Sequence, residues 1–408
     1  MLAYGLKAQV IEILKAFLMG LVMRIAYFVN KFPVISQTFI LNQIIGMLDM
    51  GQEVCICSEH IGDDLLSHKE VEKYDLMNKA IFEIPFPKNK FERITKACSL
   101  YLFGDNKIYP LQTFNIFKYG LKSINLEYLY KYFSYQDQSQ FDIVHAHFGN
   151  NGVKVAVLKE LGLITGKLIT SFHGYDINLH NNIDPVKYYK SLFRKGDIFI
   201  ANSNNTAKKL ESFGCPKEKM RILPVGIDPQ EFKPRIRSES AETIIISVGR
   251  LVEFKGHKYG IRAVSELIRM NRKVKYLIVG EGYLKDNLKK LITTLKLDEN
   301  VFLLGAKPKD EVIELLKQAS IFLFPSINTR NRASEGQGLV LQEAQSCGLP
   351  VVAFDSGAIS EGMCNEKTGY LIPEKDVYKM TLVLKKLIDN SVQRMFMVKR
   401  GRIFVNVK

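Results

Sequence analysis

The chain has 408 residues, of which 47% are hydrophobic and 24% charged, and it carries a formal net charge of +15 at pH 7. This length allows two domains of ordinary size, and this composition excludes a largely disordered chain. The charge indicates anionic partners. Because no dense basic run is interleaved with aromatic residues, a nucleotide diphosphate or an anionic membrane surface is favoured over a nucleic acid.

The six cysteines are scattered along the chain, without Cys-x2-Cys spacing or neighbouring histidines. This pattern predicts neither a zinc site nor a disulfide framework, and it favours a reducing cytoplasm.

Two interpretations of residues 1–22 remain open. They form either a short amphipathic helix lying on a membrane or a mis-assigned start, because Met23 opens a pattern typical of the first strand of a domain. Glu12 and Lys15 interrupt the apolar run before it reaches the roughly 20 residues that span a bilayer. No small-residue cleavage site follows, so a signal peptide is disfavoured.

Residues 23–225 are predicted to form an N-terminal α/β domain. The first strand covers 24–29, and Ser36 is the predicted N-cap of the helix that follows. The pattern between 62 and 140 is poor. Further strands are predicted at 54–58, 141–148, 168–172, 195–203 and 221–225.

Three histidines follow predicted strands of this domain: His145 and His147 close one strand, and His173 follows another. The carboxyl edge of a parallel sheet is where α/β folds bind ligands. A lone histidine is more often structural, so for His145 and His147 both interpretations stay open.

Residues 226–243 are polar, contain two prolines and are the predicted interdomain linker. A second domain is predicted over 244–390. It opens with an apolar strand at 243–248, followed by a loop that carries Arg250 and Lys255 between Gly249 and Gly256. A planar guanidinium fork and a mobile ammonium suit a diphosphate, although solvated surface cations would give the same bare pattern.

Strands and helices alternate regularly through the second domain, which predicts a parallel doubly wound sheet. Two glycine-containing turns lie on its ligand-binding edge, one with Glu281 and the other with Gly305 and Lys307. No G-x-G-x-x-G follows the first strand of either domain, so a dinucleotide site is not indicated.

The stretch 334–352 organises this domain. Gly336 and Gly338 bracket a turn, a helix is predicted over 339–346, and a buried strand over 349–354. If most of the span from Glu335 to Glu343 is helical, the two carboxylates lie roughly 12 Å apart along the axis. That is about the separation of sugar and ribose in a nucleotide-sugar. The helix N-terminus, with Gly338, Leu339 and Val340, would face the diphosphate.

This stretch resembles the E-x7-E signature of the retaining glycosyltransferases of family 4, which have the GT-B fold. That fold comprises two Rossmann-like doubly wound parallel-sheet domains facing across a cleft. Three other stretches are similar to family patterns: Phe32-Pro-Val-Ile-Ser-Gln-Thr-Phe39, His173-Gly-Tyr-Asp176 and the Gly249-Arg250 to Lys255-Gly256 loop. The first of these resembles family members associated with exopolysaccharide and lipopolysaccharide assembly.

The resemblance implies four catalytic residues: His173 and Glu335 at the donor sugar, and Arg250 and Lys255 at the diphosphate. It also implies that Glu343 holds the ribose and that the 305–308 turn contacts the base. The expected donor-binding set is Glu343, Gly338, Leu339, Val340, Gly249, Gly305, Lys307 and Glu281.

The predicted function is transfer of a sugar, with retention of configuration, from a UDP- or GDP-linked donor to a surface-polysaccharide or lipid-linked acceptor. No Asp-x-Asp occurs, so the reaction is expected to need no metal and no resident cofactor. The expected location is the cytoplasm or the inner face of the plasma membrane.

An alternative remains open: a catalytically impaired protein or assembly subunit of the same fold. It is suggested by residues 391–408, which are expected to form a short tail where the family has a long last helix. A GT-B epimerase or phosphorylase is disfavoured, since no pyridoxal-lysine and no proton-abstracting carboxylate–histidine set is indicated.

Overall fold

The structure is a computed structural model that describes residues 21–34, 37–62, 69–103, 111–114, 121–135, 140–174, 176–178, 183–234, 243–329 and 334–407. The predicted N-cap at Ser36 and the interpretations of residues 1–20 lie outside these ranges. The chain divides into two compact units, the first comprising Met1–Phe172, Ile183–Ala201 and Leu210–Leu223, and the second comprising His173–Asn182, Asn202–Lys209 and Pro224–Lys408.

The first unit contains a seven-stranded parallel sheet in the order β3-β2-β1-β4-β5-β6-β7. Its central strands are apolar on both faces because helices cover both sides of such a sheet. The strands are β1 (Arg24–Phe32), β2 (Glu53–Ile61), β3 (Ala80–Phe82), β4 (Ile143–His147), β5 (Lys167–Phe172), β6 (Ile198–Ala201) and β7 (Met220–Ile222).

The helices between these strands include four within 62–140, the region that sequence patterns left uninterpreted. They are α1 (Thr38–Asp49), α2 (Lys69–Lys73), α3 (Lys90–Phe103), α4 (Leu121–Ile124), α5 (Glu127–Tyr135), α6 (Gly149–Glu160), α7 (Pro185–Lys195) and α8 (Asn204–Ser212), whose first residues belong to the second unit. Ser203 caps α8, because its hydroxyl accepts the Thr206 N–H at 3.1 Å.

A buried ionic cluster joins β3 to helices α5 and α6. The Glu83 carboxylate lies 2.7 Å from the Lys154 ammonium and 3.1 Å from that of Lys131, and it accepts a 2.7 Å hydrogen bond from the Tyr135 hydroxyl. The charged side chains are only 9–11% exposed. Such a cluster fixes the relative positions of three elements, because a charge buried away from water is destabilising unless an opposite charge pairs with it.

His145 and His147 lie inside the sheet of the first unit and are each 1% exposed. Their rings stack 4.5 Å apart, and the His145 Nε2 lies 2.8 Å from the Ser171 hydroxyl. Burial lowers the pKa of His145 to about 4, so its imidazole is neutral at pH 7. These contacts favour the structural interpretation of His145.

The second unit contains a six-stranded parallel sheet in the order β10-β9-β8-β11-β12-β13. The predicted doubly wound α/β fold is therefore confirmed. The strands are β8 (Thr243–Val248), β9 (Val274–Val279), β10 (Val301–Leu303), β11 (Ile321–Phe324), β12 (Val351–Phe354) and β13 (Gly369–Ile372). The helices are α9 (His257–Arg269), α10 (Lys285–Thr294), α11 (Lys309–Gln318), α12 (Leu339–Ser346), α13 (Val377–Asp389) and α14 (Ser391–Val407).

The direction in which successive strands are added to this sheet changes between β8 and β11, which are parallel, hydrogen-bonded neighbours. From β8 the chain moves outward through β9 and β10, then returns to the other side of β8 to continue with β11. The carboxyl edge between β8 and β11 is therefore the switch point of the sheet, the usual ligand position in such folds, and we call it the crevice.

Residues 391–407 form a 17-residue helix where a short tail was expected. Helix α14 packs on α12: Met397 is fully buried, and Gly401 lies so close that a β-carbon there would be 3.5 Å from the Gln345 side chain. No helix in the described part of the chain is both long and apolar enough to cross a membrane.

Candidate functional site

Two loops meet at the crevice between β8 and β11. The Gly249 N–H, directly after β8, donates to the Val279 carbonyl at 2.9 Å, and the Ile327 N–H, after β11, donates to the Phe254 carbonyl at 2.7 Å. Gly256 has φ of +62°, and its backbone passes so close to the Pro325 carbonyl that a β-carbon would overlap it. A glycine is required here both for the left-handed conformation and for the close approach.

Lys255 and Glu335 form an ion pair in this crevice. The ammonium lies 2.6 Å from Oε2 of the carboxylate, and both side chains are 13% exposed. The ammonium also lies 4.9 Å from the centre of the Phe324 ring. With little water around them, the charges interact more strongly than a surface pair would. Both residues were predicted to belong to the site, and the structure brings them into direct contact.

Gly338 starts helix α12 in the left-handed conformation, with φ of +73°. The N–H groups of Leu339 and Val340 lie in the first turn, where no intrahelical acceptor exists. Glu335 lies before the helix, and only residues 339–343 of the span from Glu335 to Glu343 are helical.

Glu343 is half-buried on α12, one turn after the helix start. Burial raises the pKa of its carboxyl to about 7; the nearby Lys309 opposes this rise and Glu231 adds to it. Lys309 and Glu231 pair with each other at 2.6 Å. The Lys309 charge is thus largely balanced by Glu231, and Glu343 remains close to half-protonated at neutral pH.

His257 supports the backbone of the loop that carries Arg250. It is 4% exposed, and its Nε2 lies 3.2 Å from the Arg250 carbonyl oxygen. Burial lowers the pKa of His257 to about 4, so the imidazole is neutral and Nε2–H donates to that carbonyl. The Arg250 guanidinium lies 5.8 Å from the centre of the Phe254 ring.

The remaining predicted residues of the sheet edge lie in neighbouring turns. The Gly280 N–H donates to the Gly305 carbonyl at 2.8 Å, which joins these turns. Glu281 pairs with Lys285 at 2.8 Å, and Lys307 pairs with Glu311 at 2.9 Å; all four side chains are at least one-third exposed. Glu281 and Lys307 therefore each pair with a residue four positions later in the sequence, separately from the Lys255–Glu335 ion pair.

The His173 segment belongs to the same compact unit. The His173 N–H donates to Oδ1 of the buried Asp176 at 3.1 Å. Gly174 has φ of +89°, and its backbone touches that of Gly336 so closely that a β-carbon on either glycine would overlap the other segment. His173 directly precedes Gly174 and Glu335 directly precedes Gly336, so the contact between the two glycines helps to position both residues.

Comparison with known proteins shows the family to which the chain belongs. The sequence profile for "Glycosyl transferases group 1" matches residues 228–404, and that for "Glycosyltransferase Family 4" matches residues 37–231. AmsK of Erwinia amylovora, an amylovoran biosynthesis glycosyltransferase, is 32% identical over 368 residues, which cover 90% of each chain. WcaL of Escherichia coli K12, whose name assigns it to colanic acid biosynthesis, is 36% identical over 360 residues, covering 87% of this chain and 88% of WcaL.

The chain belongs to the group 1 glycosyltransferases. The crystal structure of Anabaena HepE in complex with UDP and glucose has the same fold, with a TM-score of 0.68, 16% identity and coverage of 94% of this chain and 95% of HepE. The predicted GT-B fold and the predicted family are both confirmed.

Within this glycosyltransferase, the described site combines cations, a helix N-terminus and two carboxylates. Lys255 and Arg250 can neutralise an anion, and Glu335 and Glu343 can accept hydrogen bonds from hydroxyl groups. Among the described residues, no group of three or more His, Cys, Asp or Glu side chains is arranged to hold a metal ion.

Two contributors to the site escaped the sequence analysis. His257 follows Lys255-Gly256 directly, so its place after a glycine loop was a signal that could have found it. Glu231 lies more than 100 residues before Glu343, and only the folded chain brings its charge near that carboxyl.

Proposed function

We propose that this glycosyltransferase transfers a sugar from a nucleotide-sugar to a surface-polysaccharide or lipid-linked acceptor, with retention of configuration and without a metal or resident cofactor. The observation that supports this most is the Lys255–Glu335 ion pair, which lies just before the helix that carries Glu343. The proposed sugar carboxylate and the proposed ribose carboxylate thus lie on one segment, and the fold brings a cation for the diphosphate against the first of them.

The leaving diphosphate would be neutralised by protein groups. Lys255 and Arg250 would contact its oxygens, and the N–H groups of Leu339 and Val340 would add the positive end of the α12 dipole. A lysine ammonium has three donors, so Lys255 can hold Glu335 and a phosphate oxygen at the same time.

In the proposed reaction, the bond between the anomeric carbon and the phosphate oxygen breaks first. The acceptor hydroxyl attacks from the same face, and its proton passes to the departing phosphate oxygen. Glu335 would hold the sugar hydroxyls, while His173 would line the opposite face of the sugar and exclude water.

The proposed acceptor class rests on the relatives, whose names connect them to amylovoran and colanic acid. The proposed location is the cytoplasm or the inner face of the plasma membrane, where such acceptors are assembled. The non-catalytic alternative was suggested only by a short tail, and residues 391–407 instead form a helix packed on α12.

Thermal stabilisation by nucleotide-sugars tests this function directly. UDP- and GDP-linked donors would be screened against the purified protein and the Glu343→Ala variant. One nucleotide class is expected to raise the melting temperature of the wild type, because a ligand that binds only the folded state stabilises it. The variant should show little or no rise. Absence of a rise with every donor would contradict the proposal.

Donor affinity is expected to depend on pH through Glu343. The ionised carboxylate accepts ribose hydroxyls better than the protonated form, and its pKa is about 7. Affinity should therefore fall about tenfold from about pH 8 to about pH 6, as the ionised fraction falls. Isothermal titration calorimetry with an intact nucleotide-sugar measures this, since its diphosphate has no group that titrates in that range. A Glu343→Gln variant should bind weakly at every pH.

A further inference from the structure

Helix α3 of the first unit has two apolar faces, one buried and one exposed. Its inner face packs on α5 through Ala97 and Leu100, against Leu129 and Tyr130. The Tyr130 hydroxyl donates to the Arg93 carbonyl at 2.8 Å, which fixes the helix further. The helix is thus held in place without any contribution from its outer face.

The outer face is an uninterrupted apolar stripe. Its members recur at the 3, 4 and 7 spacing of one helix face, and in the folded chain they are largely exposed. We call this set the outer stripe: Phe91 (77% exposed), Ile94 (55%), Cys98 (exposed), Tyr101 (49%) and Leu102 (66%).

Such a stripe is unusual on the surface of a water-exposed helix. Single exposed apolar residues are common, but a contiguous patch marks an interaction surface. A surface helix of a globular domain normally combines an apolar inner face with a polar outer face.

Basic residues lie beside the outer stripe, mainly at the start of α3. Residues 86–103 contain four Lys or Arg and one Glu, a net charge of +3. Lys88 and Lys90 are exposed at the start of the helix. The Arg93 guanidinium lies 4.3 Å from the centre of the Phe86 ring and donates to the Pro87 carbonyl, so the basic and apolar groups are held together.

We propose that the outer stripe of α3 docks this protein on the surface of a bilayer that contains anionic lipid. A helix lying in the plane of the interface would bury Phe91, Ile94 and Leu102 among the acyl chains. Lys88 and Lys90 would reach the anionic headgroups, and Tyr101 would lie at the boundary. The charge complementarity favours an anionic lipid surface over an apolar groove of another protein.

Vesicle co-sedimentation tests this surface without any substrate, so its outcome is independent of the donor chemistry. The wild type is expected to bind vesicles of mixed phosphatidylglycerol and phosphatidylcholine, and to bind phosphatidylcholine vesicles far less. A Phe91→Ser/Leu102→Ser variant should lose about tenfold or more in vesicle affinity. A Lys88→Gln/Lys90→Gln variant should lose about tenfold for the anionic vesicles only.

Two matched variants complete the experiment. Tyr378→Ser removes an equally exposed aromatic side chain (72%) from α13 and should bind like the wild type. Phe396→Ser tests α14, which also exposes apolar and basic residues, and should likewise bind unchanged. All variants should keep the wild-type melting temperature, because the replaced side chains are exposed.

Three results would overturn the proposal. Wild-type protein that binds neither vesicle type would do so, as would a stripe variant that binds like the wild type. Self-association of the wild type that the stripe variant abolishes, without any vesicle binding, would identify the stripe as a protein interface instead.

Discussion

The Lys255→Met variant is expected to lose about 10²–10³-fold in kcat/KM, equivalent to roughly 3–4 kcal/mol. Two effects act together. In the proposed reaction the developing charge on the diphosphate loses the Lys255 ammonium, and the Glu335 carboxylate, which is only 13% exposed, loses its ion-pair partner. Because the second effect concerns the sugar, both kcat and KM are expected to change.

Steady-state kinetics with the donor found by the thermal screen would measure this loss. Lys317→Met is a suitable control, because Lys317 pairs with a Glu314 that is 56% exposed, and such pairs contribute little. In a double-mutant cycle, Glu335→Gln should cost much less in the Lys255→Met background than alone. Additive losses would mean that the two residues act independently and that their contact has no role in the reaction.

The Glu83→Gln variant is expected to destabilise the first unit by about 3–5 kcal/mol. The substitution removes a carboxylate whose side chain is 9% exposed and leaves the buried Lys131 ammonium without its partner in the cluster. Of its acidic partners in the described part of the chain, Lys154 would then retain Glu59, at 3.4 Å. Differential scanning calorimetry should show an earlier transition for this variant, with the second unit melting near its usual temperature.

The same cluster determines a response to acid. Burial alone would raise the pKa of Glu83, but Lys154 and Lys131 outweigh burial and lower it from 4.5 to about 2. A carboxyl with a lowered pKa contributes stability that is complete above about pH 4.5 and is lost as the pH falls toward about 2. Glu59→Gln is the matched control, since Glu59 shares Lys154 but is 41% exposed. If the Glu83→Gln and Glu59→Gln variants have the same melting temperature, burial of the cluster has no energetic consequence.

The fold could be predicted where strands are apolar on both faces and separated by glycine loops. Strands such as Thr243–Val248 carry that signal locally, so their existence followed from the sequence. Between residues 62 and 140 the signal fails for physical reasons. Strand β3 has only three half-buried residues, and α3 is apolar on two sides, so no single periodicity distinguishes a buried face.

The site was predictable only as far as its residues lie in short motifs. Lys255 and Glu335 were selected separately, each on a motif, and their direct contact required the fold. The state of Glu343 depends on burial and on Glu231, neither of which is encoded near it in the sequence. Local patterns can name groups that bind a ligand, but the protonation of such groups is a property of the folded surroundings.

The contact between Gly174 and Gly336 has a consequence for engineering this enzyme. The two backbones touch with no room for a β-carbon, so their spacing is already the shortest that the chain allows. If the proposed function holds, randomised libraries aimed at a new sugar preference can vary side chains near these segments, but they should keep both glycines. Even alanine at either position would force the segments apart and shift His173 relative to Glu335. A change of donor is therefore more accessible through side-chain replacement than through redesign of these two backbone segments.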